Sequence, residues 1–202
     1  MRVGRRTPMS ADPYESPRSQ LDALIAAVKT LGARVDEIWQ EPEGSRFIGT
    51  FDGHQITLFP KYNRNFALSF TLSHLYGHMV QATKPTPRSD LALAIVSRGV
   101  HPLTRDEVQS IYWHEIEAAA IGRGLMNLVG PVSDELDRQY SRMFFADFHY
   151  LVNFLETGVG GPDAFETYLR REPIPWRLIE AAPMPLVNLS KFPIIKASAI
   201  VV

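Results

Sequence analysis

The spacing of apolar residues changes twice along this chain of 202 residues, and each change limits the fold it can adopt. Apolar residues recur at helical spacing from Leu21 to Leu31, alternate with a period of two between residues 35 and 59, and return to helical spacing after residue 62. Asp52-Gly53 predicts a tight hairpin turn between the last two strands. The sequence therefore predicts an α+β fold, mainly helical with a small three-stranded antiparallel sheet.

Strands are expected at Val35–Trp39, Arg46–Phe51 and Gln55–Phe59. After the sheet, helices are expected at Phe66–Thr83, Ser89–Val96, Thr104–Leu128, Ser133–Glu156 and Asp163–Arg170. The clearest start signal is Thr104-Arg105-Asp106-Glu107, which has the form of a capping box.

The chain divides into one domain and two flanking segments. Residues 1–15 are rich in Arg, Pro and Ser without periodicity, which predicts a flexible arm. Ser16-Pro17 opens the domain as an N-cap and first helical residue, and the domain extends to residue 171. Residues 172–202 are Pro-rich and apolar, so this tail is expected to pack on the body, add a strand or meet a partner subunit.

Composition removes several classes of function. A net charge of −1 gives no electrostatic basis for nucleic acid or an anionic membrane as the main partner. The absence of cysteine excludes disulfides, thiolate metal sites and a cysteine nucleophile. The N-terminus lacks the apolar region of a secretory signal, and no run has the length of a membrane span. A soluble cytoplasmic protein is the expectation.

His74 and His78 lie four residues apart in FTLSHLYGHMVQ, a spacing that puts both imidazoles on one side of a helix, where they can share a metal ion. The zinc-protease motif H-E-x-x-H also has a glutamate after the first histidine, which acts as general base. Here that position is Leu75, which would place an apolar side chain near an open coordination position. The chain keeps a ligand pair and lacks the usual base.

A third ligand is expected from the segment YWHEIEAAAIGRGLM. On a helix, Glu115 falls on a stripe of mostly small residues that let two helices approach closely, whereas Glu117 lies about 160° away. His114 is on the flank. The other members of the stripe are Ile111, Ala118, Ala119 and Gly122. Two His and one Glu form a catalytic zinc set with one open position, and such a set also suits ferrous iron.

Simpler interpretations compete with the metal site. Histidines on an apolar helix are often core residues satisfied by hydrogen bonds, and stripes of Ala and Gly are ordinary helix packing. Tyr76 and Tyr112 lie within a turn of the ligands and are candidates to donate a proton or stabilise an oxyanion, although tyrosines on helix surfaces are common. His149 is expected to be a core or interface residue, in a helix whose aromatic side chains wall a pocket or fill the core.

Two segments resemble the ImmA/IrrE family of zincin-type metallopeptidases. Phe70–His78 is similar to the family's FT-L-A-H-E-L-G-H, and Glu115–Met126 to its E-x-x-A-N-x-F-A-x-x-L-L. The resemblance extends from about Leu21 to Leu128 and implies a zincin-like domain with His74, His78 and Glu115 as zinc ligands. Family members that carry the complete motif cleave repressor proteins or related targets.

The chain departs from the family pattern at the functional positions. Leu75 replaces the base, and Ala119 and Ile121 replace the Asn and Phe of the second motif. The resemblance therefore implies the fold and the ligands but leaves peptidase activity unsupported.

Three functions remain. The first, which we adopt, is a diverged metal-binding protein without peptidase activity, whose site serves another metal-assisted reaction or the binding of a peptide or small molecule in the cleft. The second is an active zinc-dependent hydrolase with a relocated base, such as Glu117, His114 or a tyrosine. The third is a metal-free scaffold whose apolar tail mediates homo-oligomer formation. Under the first, the variant Leu75→Glu is expected to keep its metal and to gain some hydrolytic activity.

Overall fold

The computed structural model describes residues 18–39, 48–53, 55–60, 65–173, 178–183 and 200–201. The predicted arm at residues 1–15, the Ser16-Pro17 helix start and most of the tail lie outside this part of the chain. The described helices are α1 Arg18–Thr30, α2 Asn65–Thr83, α3 Pro87–Val96, α4 Arg105–Val129, α5 Asp134–Thr157 and α6 Pro162–Arg171. The described strands are β1 Arg34–Glu37, β2 Gly49–Phe51, β3 Gln55–Leu58 and β4 Ile200–Val201.

The helix starts follow from local capping chemistry. Thr104 caps α4, and its hydroxyl and the Glu107 carboxylate form the reciprocal bonds of a capping box. Ser133 accepts a hydrogen bond from the Leu136 N–H at the start of α5, as predicted. The predicted start of α3 at Ser89 is wrong, because Thr86 is the N-cap and Ser89 is its capping-box partner.

The mainly helical α+β class is confirmed, but the sheet is mixed, with strand order β1-β3-β2-β4. β2 and β3 form the predicted antiparallel hairpin, and Gly53 at its turn has a φ of 93°. The antiparallel prediction is wrong for β1, which pairs in parallel with β3. Residues 38–48 separate β1 from β2 in the sequence. This is enough chain for β2 to lie one position away from β1, with β3 between them.

Parts of the C-terminal tail contact the body. The Ile179 N–H donates to the Ser141 hydroxyl on α5, and the Ala182 N–H donates to the Ala120 carbonyl on α4. Residues 200–201 form β4, which pairs with the exposed edge of β2. These contacts correspond to two of the three arrangements expected for the tail, packing on the body and addition of a strand.

Helix α2 runs through the interior and is buried on every side from Phe70 to Gln81. It packs mainly against α4, and also against α1 and the β2–β3 hairpin. Burial on all sides is typical of a helix in such a central position. Polar groups on α2 therefore lie in a site with little water.

Among the helices described, none combines the length and apolar character needed to cross a bilayer.

Candidate metal centre

Glycines bring α2 and α4 into close contact. A Cβ atom on Gly77 would overlap the backbone carbonyl of Ala118, and one on Gly122 would overlap the carbonyl of Ser73. The two backbones therefore touch at these points, and the small-residue stripe predicted on α4 faces α2. Glu115, one turn before Ala118 on that stripe, points at α2 at short range.

The three predicted ligands meet at this crossing. The Nε2 atoms of His74 and His78 each lie 3.1 Å from Oε2 of Glu115, and 3.0 Å from each other. The three residues are 0%, 2% and 8% exposed, respectively. Three atoms at these separations can all lie about 2.0–2.1 Å from one common point, which is the bond length that zinc prefers. This buried group can hold a metal ion.

Protons alone do not satisfy the three contacts. If both Nε2 atoms carry hydrogen and donate to Glu115, the two N–H groups are crowded together at 3.0 Å. If one Nε2 is unprotonated while Glu115 is ionised, its lone pair faces the carboxylate oxygen and two acceptors are opposed. A single cation between the three atoms removes every one of these repulsions.

Gln81 supports the metal-binding tautomer of His78. Its Nε2 donates to the His114 carbonyl at 2.9 Å and to the Glu117 carboxylate at 3.0 Å, which fixes the direction of the amide. Its Oε1 then faces Nδ1 of His78 at 3.0 Å and must accept a proton from it. With Nδ1 protonated, neutral His78 presents the Nε2 lone pair to the site.

The charges within the group are coupled. Burial opposes ionisation of Glu115, but His78 and the two imidazole hydrogen bonds outweigh it and hold the pKa of Glu115 well below its usual value. Burial also disfavours the imidazolium of His78, yet the Glu115 carboxylate outweighs it and raises the pKa of His78. For His74, burial dominates and lowers the pKa. A metal ion therefore competes with a proton chiefly at His78.

Leu75 and Tyr76 lie in the hydrophobic core. Both are fully buried. Tyr76 is two residues from each histidine, which puts it on the opposite side of α2. Its hydroxyl has no hydrogen-bond partner among the described residues, and burial raises the pKa of Tyr76 to about 12. Nothing in this position brings Tyr76 to the three ligands.

Tyr112 belongs to a separate pocket on the face of α4 that carries Glu117. This pocket has a volume of about 430 Å³, and aromatic side chains and the segment 178–180 form part of its wall. The Tyr112 ring packs edge-on against Phe148, with the centroids 5.3 Å apart. Glu117 is exposed here while Glu115 is buried, in agreement with the predicted angle between them.

His114 and His149 differ from each other in their surroundings. The His114 ring lies 5.1 Å from that of His78, and neither of its nitrogens has a hydrogen-bond partner within the described part of the chain. Burial lowers the pKa of His114 to about 4, so its ring is neutral at pH 7. His149 is exposed in this chain and pairs with Glu172 at 2.9 Å, so the core prediction is wrong, and the interface alternative stays a prediction.

Sequence reasoning missed Gln81 and Asp147. Gln81 lies three residues after His78 and so on the same side of the helix, which is a usable signal. Asp147 lies in the apolar segment MFFADFHYLVNF of α5, and it interacts electrostatically with both Glu115 and His78. Burial, reinforced by Glu115, raises the pKa of Asp147 to about 7.

Comparisons with protein-family profiles, curated protein sequences and solved structures gave no match for this chain. The resemblance to the ImmA/IrrE family thus stays a prediction, and the geometry of the site has to carry the functional argument.

Proposed function

We propose that this chain is a metalloprotein that holds one zinc ion through His74 and His78 of α2 and Glu115 of α4. The observation that supports it is the triangle of donor atoms 3.0–3.1 Å apart, whose contacts protons cannot all satisfy while Glu115 is ionised. Two imidazoles and one carboxylate are a common catalytic zinc set with one position left for water or a ligand. Ferrous iron suits the same donors, and metal analysis distinguishes the two.

The proposed chemistry is a metal-assisted reaction, or ligand binding, that does not use the peptidase mechanism of H-E-x-x-H. The position of that motif's base is Leu75, which is fully buried in the core. A general base contributes roughly 10²–10⁴-fold to such a reaction. The diverged ImmA/IrrE-like assignment, in which the ligands remain and the base is lost, agrees with this arrangement.

Metal content tests the proposal directly. Untagged protein loaded with zinc and desalted is expected to hold one zinc per chain by elemental analysis, and His78→Ala is expected to lose it, because one imidazole and the carboxylate remain. The matched control is His149→Ala, which removes an exposed imidazole outside the site and should retain the metal. Parent protein without stoichiometric metal and with unchanged melting in chelator, or a His78→Ala variant with the parent's metal content, contradicts the assignment.

Gln81→Leu is expected to weaken zinc binding by about 10–100-fold, the usual effect of removing the group that orients a metal-bound histidine. The change removes the acceptor for Nδ1 of His78 and both hydrogen bonds from the amide. Competition with a chromophoric chelator measures the affinity. Gln109→Leu, at an exposed position of α4, is the control and should match the parent. An affinity equal to the parent's for Gln81→Leu would mean that Gln81 does not set the tautomer of His78.

A further inference from the structure

We propose that Asp147 is the general base of the metal centre, and that the centre hydrolyses small acyl substrates such as esters. This inference rests on the proposed zinc site. It assigns to a residue of α5 the role that the glutamate of H-E-x-x-H performs from the metal-binding helix itself.

The register between α5 and α2 brings Asp147 to the site. The Tyr140 ring packs on Phe70 with centroids 5.0 Å apart, and one turn further along both helices the Phe144 ring lies 6.3 Å from that of His74. These two contacts indicate that α5 and α2 run in the same direction where they meet, four residues to a step. The next step on α5 brings Asp147 level with the second histidine of α2.

Phe148 and Asp147, the two residues of α5 at the level of His78, have different neighbours. Phe148 packs edge-on against Tyr112 of α4, away from the ligands. Asp147 lies on the side of α5 that carries Tyr140 and Phe144, and its charge interacts with both His78 and Glu115. Its carboxylate is not among the ligand atoms that lie within 4.8 Å of one another. Asp147 is thus near the ligands without being one of the three, a place from which a carboxylate can act on a metal-bound water.

Asp147 has no hydrogen-bond or ion-pair partner among the residues that the structure describes. Asp147 is also less completely buried than His74 and His78, which are 0% and 2% exposed.

The alternatives for the base are less well placed. Leu75 has no proton acceptor, and Tyr76 lies on the far side of α2. Glu117 is exposed on another face of α4 and accepts the hydrogen bond of Gln81. His114 is buried against the His78 ring and has no comparable opening to solvent.

The reaction balances with water as the only co-reactant. Asp147 accepts one proton from a water molecule, and the water oxygen forms a bond to the carbonyl carbon of the ester. As the bond between that carbon and the leaving oxygen breaks, the protonated Asp147 returns its proton to the leaving oxygen. The products are a carboxylic acid and an alcohol, and a zinc ion held by His74, His78 and Glu115 would supply stabilisation of the developing negative charge.

Hydrolysis of 4-nitrophenyl acetate by zinc-loaded protein tests the role of Asp147. Asp147→Asn is expected to lower kcat by about 10²–10⁴-fold while KM and the zinc content stay at the parent's values. Asp147→Glu keeps a carboxylate, so its kcat should lie between those of the parent and of Asp147→Asn. The control is Asp134→Asn, which makes the same change of charge at an exposed position in the first turn of α5.

The outcomes separate the two proposals. Parent protein that binds no zinc overturns the metal site, and this inference with it. Parent protein that binds one zinc but hydrolyses no faster than its metal-free form overturns only the role of Asp147. Loss of zinc in both Asp147 variants identifies a fourth ligand instead of a base, and a parent-like kcat in both also overturns the assignment. If Asp147→Asn does not fold, the kcat and zinc content of Asp147→Glu decide.

Discussion

Gly77→Ala is expected to destabilise the protein by about 3 kcal/mol, even though alanine favours helices over glycine by about 1 kcal/mol. The new methyl group would overlap the backbone carbonyl of Ala118, and a backbone atom cannot rotate away as a side chain can. The helices α2 and α4 must separate, which also moves Glu115 from the two histidines. Urea denaturation measures the loss of stability, and elemental analysis measures the loss of zinc.

The control for Gly77→Ala is Gly130→Ala. Gly130 has an extended backbone with φ 172°, and a Cβ atom there would meet nothing within 4 Å, so stability should match the parent's. Gly122→Ala, which would overlap the Ser73 carbonyl, should behave like Gly77→Ala. Parent-like stability and zinc content in both variants would show that the two helices do not cross as closely as described.

Local signals in the sequence were enough to predict the helices but not the neighbours in the sheet. Caps such as Thr104 and Ser133 act through hydrogen bonds within four residues, so their effect can be inferred from the local sequence. A period of two identifies a strand and its buried face, but it does not identify the strand beside it. The parallel pairing of β1 with β3 joins strands that are not neighbours in the sequence, because β2 lies between them, and no local pattern specifies it.

Helical spacing and residue size are enough to predict the three ligands of the site. His74 and His78 share a side of α2 because they are four residues apart, and Glu115 was selected by the small residues around it, which determine how closely α4 approaches. Gln81 and Asp147 could not be assigned in the same way. The partners of Gln81 are on α4, and the position of Asp147 depends on the register of α5 along α2.

Leu75→Glu, which restores the motif H-E-x-x-H, is expected to destabilise the protein by about 3–5 kcal/mol and to give no gain in ester hydrolysis. The sequence alone predicts instead that this variant retains its metal and gains some hydrolytic activity. Because Leu75 is fully buried within the hydrophobic core, the new carboxylate would lose its hydration without gaining a partner. Urea denaturation with and without zinc, together with hydrolysis of 4-nitrophenyl acetate, measures both effects.

Leu75→Met is the matched control for Leu75→Glu, because it keeps the volume and apolar character of the side chain and should cost less than about 1.5 kcal/mol. The pair separates the effect of charge from that of shape. A Leu75→Glu variant as stable as the parent, with increased hydrolysis when zinc is bound, would mean that position 75 borders the open coordination position. The base of the complete motif would then fit this chain, and Asp147 would not be needed for that role.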